Sequence, residues 1–333
     1  MKCIYKILVA LLLLPALIVG CKKSEATAQA SGTVIKAPAN FRVIGYMLAT
    51  DIANGNAANF DFSKINYLNI AFITPDLHGN FTAITNLNAV IAAAHQQHVK
   101  VLASIGGGLA PAYYTSLLSD SLRSYFINNL VQLAVADNFD GIDVDLEGAL
   151  INTNYETFVG QLSAAVKAQG MLLTAAIATA YKSSYTDRSL TYYDFVNVMS
   201  YDATGPWAPN LPGQDSPYSM AVSDLAYWSG TRGIAKNRLN LGVPFYGYGF
   251  NGAPSSIYYK DIVAQYPGAE NTDQVSTTGG GIIYYNGIPT IKQKTALAIK
   301  QAGGVMMWQL LQDAGGDQSL LNAIDGNVNG TGN

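Results

Sequence analysis

Cysteine, histidine and charge are what this 333-residue chain has least of, and each shortage excludes something. Its two cysteines, Cys3 and Cys21, both lie within the first 21 residues, so the rest of the chain can carry neither a disulfide nor a free thiol. Of three histidines, His78 falls in a loop, and His95 and His98 fall on a surface-like helical pattern with no acid pair or cysteine nearby. They read as solvated side chains, and no metal dependence or other cofactor is expected. Charged residues make up 12% of the chain and its formal charge is −3. No basic patch stands out, which argues against a nucleic-acid partner. A glycine-rich phosphate loop is also missing; Gly279-Gly280-Gly281 reads as a turn before the segment Ile282–Tyr285.

The one notable apolar run, Ile7–Val19, is too short to span a bilayer. It follows Lys2 and Lys6 and is built like a signal peptide. Its end, Ile18-Val19-Gly20-Cys21, resembles a bacterial lipobox, with cleavage before Cys21 and a lipid on the Cys21 thiol. An ordinary signal peptide with an incidental cysteine is the other reading. Losing residues 1–20 removes Lys2, Lys6 and no acid, which takes the charge from −3 to −5. Residues 21–40, rich in Ala, Ser, Thr and Lys, then read as a lipidated cysteine and flexible tether. The expected location is the cell envelope: anchored in the outer membrane through the lipid alone, facing the periplasm or the outside. Residues 41–325 form the expected folded domain, and 326–333 a disordered tail.

What the chain does have is tyrosine, 21 of them, together with abundant Asn, Ser and Thr. That balance suits a neutral polar ligand such as a sugar. It also has Phe139-Asp140-Gly141-Ile142-Asp143-Val144-Asp145-Leu146-Glu147. Strand side chains alternate, so Asp143, Asp145 and Glu147 share one face and Ile142, Val144 and Leu146 the other. A solvated acidic edge would not need strictly apolar residues in between. Carboxylates about 6–7 Å apart along a strand repel, and one of them tends to keep a proton near neutral pH. A protonated carboxylic acid beside ionised ones is the equipment of acid catalysis at a glycosidic bond.

Strand-like runs recur at Arg42–Met47, Tyr67–Ile73, Lys100–Gly106, Gly141–Glu147, Leu172–Ala178, Phe195–Tyr201, Leu239–Phe245 and Gly304–Gln309. Helical patterns separate most of them, as at Leu87–His98, Ser121–Ala136, Tyr155–Ala168, Ser219–Arg232 and Ile291–Gln301. This α/β repeat predicts a (β/α)8 TIM barrel, a single catalytic domain with its chemistry at the C-terminal ends of the strands. Parity groups Ile44 with Tyr46, Leu68 and Ile70 with Phe72, Ser104 with Gly106, Asn197 and Met199 with Tyr201, and Met306 with Trp308. If those faces point inward, Tyr46, Phe72, Ser104, Tyr201 and Trp308 ring the mouth around the acids. Each aromatic alone is equally well read as core packing.

At this point the chain resembles glycoside hydrolase family 18, the chitinases and endo-β-N-acetylglucosaminidases. The resemblance rests on Ser104-Ile105-Gly106-Gly107, on the Asp-Gly-x-Asp-x-Asp-x-Glu pattern at 140–147, and on Met199-Ser200-Tyr201-Asp202. It extends to Gly242-Val243-Pro244-Phe245-Tyr246-Gly247 and Gly303-Gly304-Val305-Met306-Met307-Trp308. It implies Glu147 as general acid and Asp145 orienting a substrate N-acetyl group, with Asp143 behind it, supported by Ser104 and Tyr46. Tyr201 would bond the acetamido group, Asp202 would contact it or the sugar, and Trp308 would floor the site; Phe72, Gly106 and Met199 complete the binding set.

Asp145 and Glu147 lie two residues apart on one strand face and cannot flank a bond from opposite sides, as ordinary retaining carboxylates do. The nucleophile would then be the substrate's own acetamido oxygen, which gives a cyclic oxazolinium ion and retention. The implied partner is an N-acetylglucosamine-containing glycan: chitin-like β-1,4 oligosaccharides, or the chitobiose core of N-glycans. A non-catalytic lectin on the same barrel is the alternative of another class. Leu146, Gly148 and Ala149 depart from the Trp and Tyr-Pro of many chitinases, and Gly108-Leu109-Ala110 replaces an aromatic platform. The segment between the last two strands is short for a large α+β insertion. A shallower, more open cleft is expected.

Overall fold

The computed structural model describes residues 36–331. The expected signal peptide, Cys21 and residues 21–35 of the tether lie outside the described residues, as do 332 and 333.

The eight expected strands form and close on themselves. They are β1 (Arg42–Leu48), β2 (Tyr67–Ala71), β3 (Lys100–Gly106), β4 (Gly141–Asp145), β5 (Leu172–Ile177), β6 (Phe195–Val198), β7 (Leu239–Pro244) and, last in the chain, β12 (Gly304–Trp308). Between the last two come β8 (Tyr246–Phe250), β9 (Ile257–Tyr258), β10 (Gln274–Ser276) and β11 (Ile282–Tyr284). The barrel order is β1-β12-β7-β6-β5-β4-β3-β2, every pairing parallel, with β1 joining both β2 and β12. The helices are α1 (Ala49–Ala53), α2 (Leu87–Gln96), α3 (Tyr114–Leu117), α4 (Arg123–Ala136), α5 (Tyr155–Lys167), α6 (Asp187–Thr191), α7 (Tyr218–Ala226), α8 (Tyr259–Gln265), α9 (Ile288–Gln301) and α10 (Leu320–Asn329). None of them is long and apolar enough to cross a membrane.

The helices take their place from their apolar spacing. In α5, Tyr155, Phe158, Val159, Leu162 and Val166 are the buried apolar side chains, a 3.6-residue stripe that packs on the strands. The strands send the alternate residues Val43 and Met47, Val101, Ala103 and Ile105, and Ile142, Val144 and Leu146 into that shell. Burying each such side chain contributes about 1.5–3 kcal/mol relative to leaving it in water. The inner face is a different environment: Ile44, Tyr46, Phe195, Met199, Tyr201 and Met306 pack with Phe72 and Trp308, around the buried polar residues Asn69, Ser104, Asp143, Thr174, Asn197 and Asn240.

Three expectations are corrected. On β2 the outer set contains Leu68 and Ile70, while Tyr67 and Ala71 belong to the inner one. Phe72 still reaches the mouth, because the regular strand ends at Ala71 and alternation no longer binds it. Residues 326–329 are helical: Ser319 caps α10 on the Asn322 amide, Asp313 accepts from the Leu320 and Leu321 amides, and Gly330 ends the helix at φ 73°. The tether stops short of residue 40, since Ala37 is buried with its N–H bonded to the Val328 carbonyl. The segment after β7 is short, as expected, and folds into a compact four-stranded sheet, β10-β11-β8-β9, carrying α8.

Candidate active site

β4 sends Asp143 and Asp145 into the barrel, and the chain stays extended at Glu147 (φ −119°, ψ 157°), so the alternation carries through to a third carboxylate. The three form a ladder towards solvent: Asp143 is 0% exposed, Asp145 3%, and Glu147 half-buried at the mouth.

Asp143 is held from three strands. Tyr46 Oη donates to Oδ2 at 2.6 Å, Ser104 Oγ to Oδ2 at 2.8 Å, and Thr174 Oγ1 to Oδ1 at 2.5 Å. Strand register produces this, because Ser104 and Thr174 pair directly with Asp143 on either side. Burial raises the Asp143 pKa and those three donors pull it back. Asp145 has no such help, and its Oδ1 is buried without a hydrogen-bond partner among the described residues. Burial, then the Glu147 and Asp143 charges, hold its pKa well above the carboxylate range. Burial first and Asp202 second push Glu147 up to about 7. A carboxyl that keeps its proton near neutrality is what general acid catalysis needs.

The ladder opens into a cleft of about 640 Å³. Phe72, Gly106, Met199, Tyr201, Asp202 and Trp308 line it beside Asp145 and Glu147, while Tyr46, Ser104 and Asp143 support it from below. Trp308 anchors an aromatic cluster, with its ring 5.5 Å from Tyr46 and 5.6 Å from Phe72, the latter stacked. The Tyr201 ring meets Tyr246 edge-on at 6.3 Å. Gly106 and Gly107, at φ 103° and 92°, are required by close approach as much as by backbone. A Cβ on Gly106 would strike the Asp145 carbonyl, and one on Gly107 the Phe72 ring.

Three side chains were not anticipated. Tyr246 and Tyr248 donate to Asp202 Oδ1 at 2.5 and 3.0 Å, fixing that carboxylate on the cleft wall, and Thr174 completes the Asp143 cradle. Alternation in Tyr246-Gly247-Tyr248 and the inward parity of Thr174 were the signals for them. The exposed Trp207 rests edge-on against Tyr248 at 5.2 Å. One expectation fails here: His95 is not simply solvated, for its Nε2 lies 2.8 Å from Asp140 Oδ2, which also accepts the Val101 amide. Asp140 stands one residue before β4, and its side chain clips β3 at the end of the barrel away from the cleft. His78 and His98 are exposed. Among the described residues, no three His, Cys, Asp or Glu side chains are grouped to hold a metal ion.

Known proteins share this architecture. The GH18 chitinase ChiB from the chitin utilization locus of Flavobacterium johnsoniae superimposes with a TM-score of 0.79 and 32% identity, over 88% of this chain and 94% of that one. A chitinase from Bacteroides thetaiotaomicron gives 0.74 and 26%, over 86% and 96%. Chitinase 63 of Streptomyces plicatus is 26% identical over 300 residues, 75% of this chain but 48% of that protein. Human chitinase-3-like protein 2 is 26% identical over 272 residues, 65% of this chain and 70% of its own length. The family model for glycosyl hydrolases family 18 matches residues 42–313, from the first residue of β1 to just beyond β12. The chain belongs to that family.

Proposed function

We propose that the protein hydrolyses β-1,4 linkages of N-acetylglucosamine-containing glycans of the chitin-oligosaccharide type, with the substrate's acetamido group as nucleophile. The observation that carries this reading is the one-sided ladder: Glu147 at the mouth with its pKa pushed up to about 7, a buried Asp145 beneath it, and a cleft lined by Trp308.

Glu147 gives its proton to the glycosidic oxygen as the bond from that oxygen to the anomeric carbon breaks. The acetamido carbonyl oxygen attacks the same carbon from the opposite side and closes an oxazolinium ring. Asp145 Oδ1, buried and unpartnered, is available to accept from the acetamido N–H and turn the carbonyl towards the anomeric carbon. Negative charge on the Asp143–Asp145 pair stabilises the cation. Glu147, now a carboxylate, takes a proton from water; the water oxygen opens the ring, the configuration is retained and Glu147 is reprotonated.

Glu147→Gln tests the assignment. Turnover of chitotetraose should fall about 10²–10⁴-fold with oligosaccharide binding preserved; near-normal turnover removes Glu147 from the acid role. Running a high-mannose glycoprotein beside chitotetraose separates chitin-like cleavage from release of N-glycans. For location, we infer lipid attachment at Cys21 from the preceding Ile18-Val19-Gly20. Cys21→Ser should move the protein from the membrane to the soluble fraction, and an unchanged distribution counts against the anchor.

A further inference from the structure

Beneath the carboxylate ladder a chain of side-chain hydrogen bonds runs through the barrel interior. Arg42 Nε donates to Asn240 Oδ1 at 2.8 Å, Asn240 Nδ2 to Asn197 Oδ1 at 2.9 Å, Asn197 Nδ2 to the Tyr46 oxygen at 3.2 Å, and Tyr46 Oη to Asp143 Oδ2 at 2.6 Å. The links come from β1, β7, β6, β1 and β4, and register sets Asn197 directly against Asn240. Asn197, Asn240 and Asp143 are all 0% exposed.

The sense of this chain is forced. The Arg42 Nε–H can only donate, so the Asn240 oxygen must face it. Asn240 Nδ2 also reaches the Val196 carbonyl at 3.3 Å, where a flipped amide would set oxygen against oxygen. Asn240 therefore donates to Asn197, whose oxygen is fixed in turn and whose Nδ2 must donate to Tyr46. With its oxygen accepting, Tyr46 sends its single proton to Asp143 Oδ2. The Ser104 and Thr174 hydroxyls could rotate to accept; Tyr46 cannot. A proton on Asp143 Oδ2 would meet the tyrosine proton head-on.

We propose that Arg42, Asn240 and Asn197 are positioning residues that lock Tyr46 as a donor, hold Asp143 ionised, and so leave the one proton of the inner aspartate pair on Asp145. The lock is a property of the fold; its importance for turnover rests on the hydrolase reading above. The titratable groups facing Asp143 are Tyr46, Asp145, Tyr155, Tyr193 and Tyr201, and burial raises the pKa of all four tyrosines far enough to keep them neutral. When the chain is cut at Asn240, Asn197 can flip, Tyr46 can turn its proton to the Asn197 oxygen, and Asp143 loses a donor.

The test is an infrared titration of the full chain carrying ¹³C-carboxyl aspartate, with Asp143→Asn used to assign the Asp143 band. In Asn240→Leu the midpoint of that band should rise by about one pH unit, the scale set by losing one charge-assisted hydrogen bond. Val198→Ala, a cavity on β6 facing away from the chain, should lose stability and leave the midpoint in place. A midpoint unchanged in Asn240→Leu, or moved equally by Val198→Ala, overturns the proposal. If Asn240→Leu does not fold, Arg42→Met cuts the chain at its half-buried end and is judged the same way. With chitotetraose as substrate, the acid limb of kcat/KM should follow the infrared midpoint. A wild type that fails to hydrolyse it sinks the hydrolase reading alone, since the infrared result decides the lock without turnover.

Discussion

Glu147 and Asp145 are chemically similar side chains two residues apart, and their surroundings divide the work between them. Asp145 is enclosed and flanked by two other acids, so it holds its proton far more firmly than a free carboxyl. Glu147 reaches the mouth, and burial with the Asp202 charge brings it to about 7. On the proposed mechanism the free enzyme needs Glu147 protonated, so kcat/KM should fall as pH rises through about 7. Asp202 contributes to that value as a negative charge, itself steadied by Tyr246 and Tyr248. Asp202→Asn should therefore lower the Glu147 pKa and carry the basic limb to lower pH, by roughly 0.5–1 unit for a neighbouring charge across a partly solvated cleft. A limb that stays in place, or moves up, would show that Asp202 does not act on Glu147 electrostatically.

The loop of residues 202–216, which carries Asp202 to the cleft and Trp207 to Tyr248, is tied to the shell by a buried lysine. Lys294 on α9 points its ammonium at the Ser216 carbonyl (2.5 Å), Ser216 Oγ (2.6 Å) and Asn286 Oδ1 (2.6 Å). All three of its donors are used, while burial lowers its pKa to about 8. Asp215 beside it is fully buried, and burial raises its pKa to about 8 against the pull of the Lys294 charge. Lys294→Met would strand these acceptors and should cost about 1–3 kcal/mol for each one left unsatisfied, read as a Tm lower by roughly 5–10 °C; a drop under 2 °C would mean the loop is held by other contacts.

Nothing in the sequence announced this link, because a lysine on an amphipathic helix normally reads as a solvated face. The elements legible beforehand were those written in local periodicity: the eight strands, the main helices and the acid ladder. β2 was misread because Leu68, Ile70 and Phe72 keep their spacing while the regular strand stops at Ala71. The final helix was missed because its start depends on Asp313, several residues upstream and outside any helical pattern. Thr174, Tyr246 and Tyr248 were open to the same alternation argument that found Ser104. The Asn197–Asn240 pairing needed the register between two strands far apart in the chain.

At the scale of the whole molecule, one barrel places apolar packing in its outer shell and a polar interior under its C-terminal mouth, so the chemistry sits where the strands end. The compact sheet after β7 supplies Tyr246 and Tyr248 to one wall, while Gly108 and the fully exposed Leu109 leave the edge after β3 low. On the proposed function, such a cleft would take soluble oligosaccharides more readily than a crystalline surface. On the proposed mechanism it requires an acetamido group on the sugar to be cleaved, because Asp145 stands on the same strand face as Glu147 and cannot attack from the opposite side of the bond. The most direct measurement is proton NMR of the first products from chitotetraose, run beside cellotetraose of equal length. The expected result is chitotetraose cut to β-anomeric products with cellotetraose untouched; an α-anomeric first product, or cellotetraose cut at a comparable rate, would contradict substrate-assisted cleavage.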